Sequence, residues 1–309
     1  MASSSSSSSS AKRAAPDSSS AFFQRDAKDG IGALESLYGK QSVALVVTSP
    51  PYFGCRSYNP ALAADGTNAL SANHTSTHDS GAELGHESTP FAFARRLADV
   101  FGTTHEYLRD DGSVWIVLGD TFARSTFHDD AHQHASIYKG EAMATHHLFV
   151  AEMRARGWRL WQEIVWMKPA APPSGAAQGR CNPCHEYVLV FCKREHKPRF
   201  YPREIREPGK TPAGTVMPPV GGKKYGEYTK TLVSDGMRCR QDVWVVAPSR
   251  SRRAHVAPFP EELPRLAMLA TTVADDLVCD PFGGTLTTQR VAEALGRRSV
   301  CFDLYTHDV

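Results

Sequence analysis

A recurring pattern constrains this chain more than any single residue: short apolar runs that stop abruptly at a polar turn carrying Pro or Gly. Val43-Ala44-Leu45-Val46-Val47 runs into Thr48-Ser49-Pro50-Pro51-Tyr52, and Leu277-Val278-Cys279 runs into Asp280-Pro281-Phe282-Gly283-Gly284. Apolar runs without polar alternation read as buried strands, the habit of parallel sheets covered by helices on both faces. Helical spacing of apolar residues separates these runs, at 31–38, 91–109, 145–156, 261–273 and 287–295. Further strands are expected at 113–118 after an Asp110-Asp111-Gly112 turn, and at 158–167, 186–192 and 299–302. The alternation predicts an α/β fold with a mostly parallel sheet. Such sheets bind ligands at the carboxyl ends of their strands, so the two turns are expected to face one cleft.

The rest of the chain is organised around that sheet. Residues 1–20 are Ser-rich and read as a disordered tail, without the apolar segment of a signal peptide. No run of 18 apolar residues occurs, so no membrane span is expected and the location expected is cytoplasmic. Residues 54–90 and 122–141 are polar, His-containing loops. The seven cysteines are an odd, scattered set and read as reduced thiols. Cys181 and Cys184 have Cys-x-x-Cys spacing, but His185, Cys192 and His196 are poorly spaced as a second pair, so no metal is expected. The whole chain carries a net charge of only +2, yet residues 193–256 hold fifteen Lys and Arg against six Asp and Glu. That stretch is expected to form a module outside the sheet.

The two turns suggest different chemistry. Glycines at 283 and 284 allow a ligand close to the backbone. Asp303, about twenty residues on at the end of the next strand, is placed to accept hydrogen bonds from ribose hydroxyls. The Gly-Lys-Ser/Thr ending of a phosphate loop is missing, which points to an adenosine ligand without a polyphosphate. On these residues alone, a simple glycine turn remains open. At the other turn, Pro50 and Pro51 remove two donors and leave carbonyl oxygens and the Ser49 hydroxyl as acceptors. An exocyclic amine on a nucleobase supplies the matching donors, and Tyr52 can stack on the ring. A plain proline turn is the alternative. Methylation of cytosine carbon needs a thiolate, usually in a Pro-Cys pair; Pro183-Cys184 lies in a loop far from the Pro-Pro-Tyr turn and is not favoured.

Taken together, residues 48–52 and 280–288 resemble the catalytic and cofactor motifs of amino-methylating DNA methyltransferases, the cytosine-N4 and adenine-N6 family. Phe22-Phe23-Gln24-Arg25-Asp26-Ala27, Asp111 to Thr121, Trp166-Met167-Lys168-Pro169 with His185 to Leu189, and His255 to Leu263 resemble further segments in order. The catalytic motif precedes the cofactor motif, the order of the family's permuted beta group. The resemblance implies a Rossmann-like S-adenosylmethionine-dependent methyltransferase fold. Its implied parts are a catalytic half at 21–192, a DNA target-recognition region at 193–254 and a cofactor half at 255–309.

Carried over position by position, the resemblance implies Ser49, Pro50, Pro51 and Tyr52 as catalytic residues. It implies Asp26, Thr48, Pro258, Phe259, Asp280, Pro281, Phe282, Gly283, Gly284, Thr285 and Asp303 as residues that hold S-adenosylmethionine. Ser rather than Asp at position 49 favours cytosine over adenine as the target base. Double-stranded DNA is the expected partner, with a cognate restriction endonuclease beside it, and the chain acting as monomer or homodimer near the nucleoid. Lys223, Lys224, Arg238, Arg240, Arg250, Arg252 and Arg253 are the expected DNA contacts. A methylase-like module that binds without turnover is the rival, against which the intact Ser-Pro-Pro-Tyr argues. One departure stands out: Leu286 occupies the position of the family's second turn glycine.

Overall fold

A computed structural model of the protein describes residues 20–54, 84–129, 135–169, 179–217, 232–249 and 260–305. Its centre is an eight-stranded sheet. In chain order the strands are β1 (Ser20–Gln24), β2 (Val43–Thr48), β3 (Leu108–Leu118), β4 (Trp158–Met167), β5 (His185–Lys193), β6 (Val243–Val245), β7 (Leu277–Asp280) and β8 (Arg298–Asp303). Across the sheet the order is β1-β8-β7-β2-β3-β5-β4-β6. Neighbours are parallel except where β5 meets β3 and β4, so β5 alone runs against the rest.

Among the described residues five helices cover the sheet: α1 (Ala27–Tyr38), α2 (Pro90–Thr103), α3 (Thr145–Ala155), α4 (Glu262–Thr271) and α5 (Thr287–Ala294). Successive residues of a strand point to opposite faces, and β2 shows the consequence. Val46 joins a core of Ile31 and Leu34 from α1, Phe93, Leu97 and Phe101 from α2, and Phe149 and Met153 from α3. Leu45 and Val47 join the opposite core, with Leu263, Leu266 and Met268 from α4 and Val291 from α5. This double burial is why the strand carries no polar alternation. Helix starts follow local chemistry: Thr89 Oγ1 accepts from the Ala92 amide at 3.1 Å and Pro90 opens α2.

The chain leaves β2 through α2 toward β3, and leaves β7 through α5 toward β8, in opposite directions along the sheet. β2 and β7 are adjacent, so their carboxyl ends flank the topological switch point, the crevice where such sheets bind ligands.

Three expectations need correction. The Asp110-Asp111-Gly112 turn lies inside β3, where pairing with β2 shifts register between Val43 and Leu45. Ion pairs hold this segment in the strand: Arg109 and Arg199 both pair with Asp111 and with Asp276, and Lys193 pairs with Asp110 at 2.9 Å. The 122–141 segment contains a short hairpin, Phe127–His128 against Ser136–Ile137. The basic stretch is not wholly outside the sheet, because β6 extends the sheet beside β4 and buries Trp244. Two small ribbons, Glu207–Pro208 with Met237–Arg238 and Val216–Met217 with Leu232–Val233, make up the remainder of its described strands. Among the described residues no helix is long and apolar enough to cross a membrane. Among them, Cys192, Cys279 and Cys301 are buried, Cys181, Cys184 and Cys239 are exposed, and all six are free thiols.

Candidate active site

At the end of β7, Asp280 is fully buried, and its carboxylate accepts from Thr288 Oγ1 at 2.5 Å and the Phe282 amide at 3.0 Å. Burial pushes this carboxyl up to about 6, against the pull of the Thr288 and Thr48 hydroxyls and the Phe282 amide. Thr48, the last residue of β2, is likewise buried. The turn then folds onto β8: the Gly283 amide donates to Phe302 O at 2.8 Å, and the Gly284 amide donates to Asp303 Oδ2 at 2.8 Å. The other Asp303 oxygen accepts from the Tyr305 amide at 3.0 Å.

The two glycines serve different needs. A Cβ at Gly283 would lie 3.1 Å from Cys301 Cβ, so its lack of a side chain lets the turn pack on β8. Gly284 has φ +48° and meets nothing closer than 3.9 Å, which leaves the turn open to a ligand. Pro281 is buried and Phe282 packs on the core, its ring centre 6.3 Å from that of Phe101. The Thr285 hydroxyl lies 3.3 Å from that of Thr287. Asp26 sits at the same sheet edge, after β1, and caps α1 by accepting from the Lys28 amide at 2.9 Å. An open glycine turn beside an acidic strand end fits the adenosine part of S-adenosylmethionine.

The end of β2 is assembled differently. Tyr52 donates its hydroxyl to Glu186 Oε2 at 2.9 Å, and Ser49 Oγ lies 3.4 Å from the Tyr52 hydroxyl. Lys168 Nζ is ion-paired with Glu186 Oε1 and sits 4.4 Å from the centre of the Trp166 ring. Gly119, just past β3, makes room for the tyrosine: a Cβ there would lie 2.8 Å from Tyr52 Cε2 and 3.2 Å from Glu186 Cδ. Asp120 then reaches across to α3, accepting from the amides of Ala144 at 2.8 Å and Thr145 at 3.1 Å. In the first turn of α3, His146 is 4 % exposed and stacks on Tyr187 with ring centres 3.9 Å apart. Burial, then the neighbouring His147, drives the His146 imidazole down to about 4.

Ser49, Tyr52, Asp280, Gly283, Gly284 and Asp303 therefore share one sheet edge, as expected. Lys168, Glu186 and Gly119 join them without having been singled out as site residues. They lie in segments that resemble the family, but bringing them to the Ser49 turn requires knowing that β5 is antiparallel. The expected base-reading arginines are both engaged: Arg238 pairs with Glu207 at 2.8 Å and Arg240 with the same carboxylate at 3.2 Å. Pro258, Phe259, Lys223, Lys224, Arg250, Arg252 and Arg253 lie outside the described residues.

Comparison with known proteins agrees with this geometry. A DNA methylase family model, that of the N6/N4 methyltransferases, matches residues 43–309. Over 298 residues the chain is 26% identical to the Type II methyltransferase M.SmaI of Serratia marcescens, covering 90% of this chain and 84% of that one. In three dimensions it is similar to the PvuII DNA methyltransferase, described as cytosine-N4-specific, with a TM-score of 0.62 at 17% identity, over 93% of this chain and 83% of that one. A Thermus thermophilus protein solved with S-adenosyl-L-methionine superposes with a TM-score of 0.51 at 21% identity, over 92% of this chain and 87% of that one. The chain belongs to the N6/N4 DNA methylase family and is a methyltransferase.

Proposed function

We propose that this methylase transfers a methyl group from S-adenosylmethionine to the N4 amine of a cytosine flipped out of duplex DNA. The observation that carries the reading is the pairing of two turns at the switch point. An open glycine turn with Asp303 lies on one side, and a Ser49-headed Pro-Pro-Tyr turn lies on the other. The bound cofactor supplies an electrophilic methyl on a sulfonium. Asp303, Gly283, Gly284, Phe282 and Thr285 hold it, with Asp280 and Thr48 bracing the turn from inside.

The chain's own residues do the rest by positioning. The Ser49 hydroxyl and the Pro50 carbonyl accept hydrogen bonds from the amine and aim its lone pair. Tyr52 offers its ring to the base. The neutral Ser49 suits the weakly basic cytosine amine. The cytosine-N4 description of the PvuII enzyme and the Type II naming of M.SmaI support the same reading, including a restriction endonuclease of matching specificity as partner. The basic residues between 193 and 254 are the DNA-facing surface of this reading.

The test is incubation of duplex DNA with the protein and labelled S-adenosylmethionine, followed by digestion to nucleosides and mass spectrometry. N4-methylcytosine is expected. N6-methyladenine would replace the base assignment. Equal background from wild type and Ser49→Ala would remove the enzymatic reading.

A further inference from the structure

We infer that Glu186, fixed by Lys168, ends a proton exit that starts at the target amine and runs through Ser49 and Tyr52. This rests on the amino-methyl transfer proposed above. The direction of the chain follows from its last link. A carboxylate can only accept, so the Tyr52 hydroxyl donates to Glu186 Oε2, at 2.9 Å. That spends the tyrosine proton and leaves its oxygen to accept from Ser49 Oγ, 3.4 Å away. Ser49 then donates inward and presents a lone pair outward, the polarity needed to accept an amine proton.

The surroundings hold this polarity in place. Lys168 occupies the other carboxylate oxygen and rests on the Trp166 ring, so Glu186 has one oxygen left for Tyr52. Gly119 lets the tyrosine ring lie against the end of β3, where a methyl group would collide with both Tyr52 and Glu186. Tyr52 and Glu186 are 134 residues apart in sequence, on strand ends that meet only because β5 is antiparallel.

The amine lone pair forms the new carbon–nitrogen bond while the sulfur–carbon bond breaks, its electrons staying on sulfur. The nitrogen then has four bonds and is strongly acidic, so a carboxylate is base enough. One N–H bond breaks and its electron pair returns to nitrogen. The proton goes to Ser49 Oγ as the serine proton moves to Tyr52 and the tyrosine proton to Glu186. A neutral methylamine, a thioether and a glutamic acid result, and Glu186 resets by releasing its proton to water. Glu186 is a positioning residue, because it acts on the amine through two hydroxyls.

The test is single-turnover methyl transfer to DNA by wild type, Glu186→Gln, Tyr52→Phe and the double variant, across pH. Melting temperature and S-adenosylmethionine binding are measured on the same preparations. Each single variant is expected to lose about 100-fold in rate, within the range of general acid–base contributions, with cofactor binding within about twofold of wild type. Residues of one chain act as a unit, so the double variant is expected to be no slower than the slower single. The acid limb of the wild-type pH–rate profile is expected to vanish in Glu186→Gln.

Rates within about threefold of wild type, multiplicative losses or an unchanged acid limb would each overturn the proposal. If Glu186→Gln does not fold, Tyr52→Phe alone decides by its rate. N6-methyladenine from an active wild type would overturn the base assignment and leave the relay to these same readouts. A wild type that transfers no methyl group would remove both readings.

Discussion

The two turns at the switch point are held by opposite means. At the end of β7 the bonds are local: Asp280 reaches Phe282 and Thr288, two and eight residues away, and Gly284 reaches Asp303, nineteen away. Backbone amides supply most of the donors, and the key carboxylate is fully buried. At the end of β2 the bonds are made between side chains of half-buried residues, and the one from Tyr52 to Glu186 spans 134 residues. A rigid, pre-formed turn suits a cofactor of constant shape. A lattice of adjustable side chains suits a target base that must enter and leave.

The largest effect is expected of Asp280→Ala. It leaves the Phe282 amide and the Thr288 hydroxyl without their buried acceptor, and truncating such a hub costs about 3 kcal/mol. A fall in melting temperature of several degrees is expected, with loss of cofactor binding. The equivalent cut at the other turn, Glu186→Gln, is expected to leave stability nearly intact and reduce rate. Equal melting temperatures for the two variants would erase the distinction between the ends.

pH separates the ends with opposite signs. The folded Asp280 carboxyl, at about 6, lies above its ordinary value, so its stabilisation is full below pH 4 and is lost as pH rises through 6. Relative to Asp280→Asn, wild type is expected to lose about 3 kcal/mol between pH 4 and 7. The folded His146 imidazole, at about 4, lies below its ordinary value. Its contribution is full above about pH 6.5 and is lost as pH falls toward 4. Relative to His146→Gln, wild type is expected to weaken on acidification. Denaturant melts of the three proteins at four pH values check both slopes; slopes of the same sign would contradict the burial argument.

This difference also governs what could be read from the sequence. The β7 turn, Asp303 and their helix lie within 277–303, so short-range spacing was enough to place them. The Ser49 turn was legible as a strand end; Lys168 and Glu186 lay in family-like segments but were not legible as its partners, because their approach depends on one reversed strand. The expected turn at 110–112 failed for a related reason. Arg199 and Asp276, distant in sequence, pair with Arg109 and Asp111 and keep an otherwise turn-like segment extended. The edge strand β6 was hidden because its outward residues, Val243 and Val245, sit in a stretch dominated by basic residues and proline. Gly119→Ala probes this long-range assembly directly. Its Cβ would crowd the Tyr52 ring at 2.8 Å, and about a tenfold fall in methyl transfer is expected, with cofactor binding unchanged. A full rate would show that the tyrosine can shift without consequence.

The smallest effect sharpens the cofactor side. Leu286 opens α5 with φ +58°, a left-handed conformation that costs a side chain about 1 kcal/mol and costs glycine almost nothing. Ala144 opens α3 the same way, with φ +50°. Strained residues at both helix starts border the cleft, where such strain tends to collect. At Ala144 the Asp120 carboxylate holds the strained amide. At Leu286 the amide bonds only within the turn, to Gly283 O at 2.8 Å. Leu286→Gly relieves the strain, yet gives the unfolded chain more freedom. The two effects nearly offset, so stability is expected to stay within about 1 kcal/mol. Cofactor affinity is the more telling measurement. Removing the Cβ opens the backbone beside Gly284, and a gain of about threefold in S-adenosylmethionine affinity by calorimetry is expected. A loss of affinity would mean that the leucine side chain itself contacts the ligand, and that this turn binds through a side chain as the β2 end does.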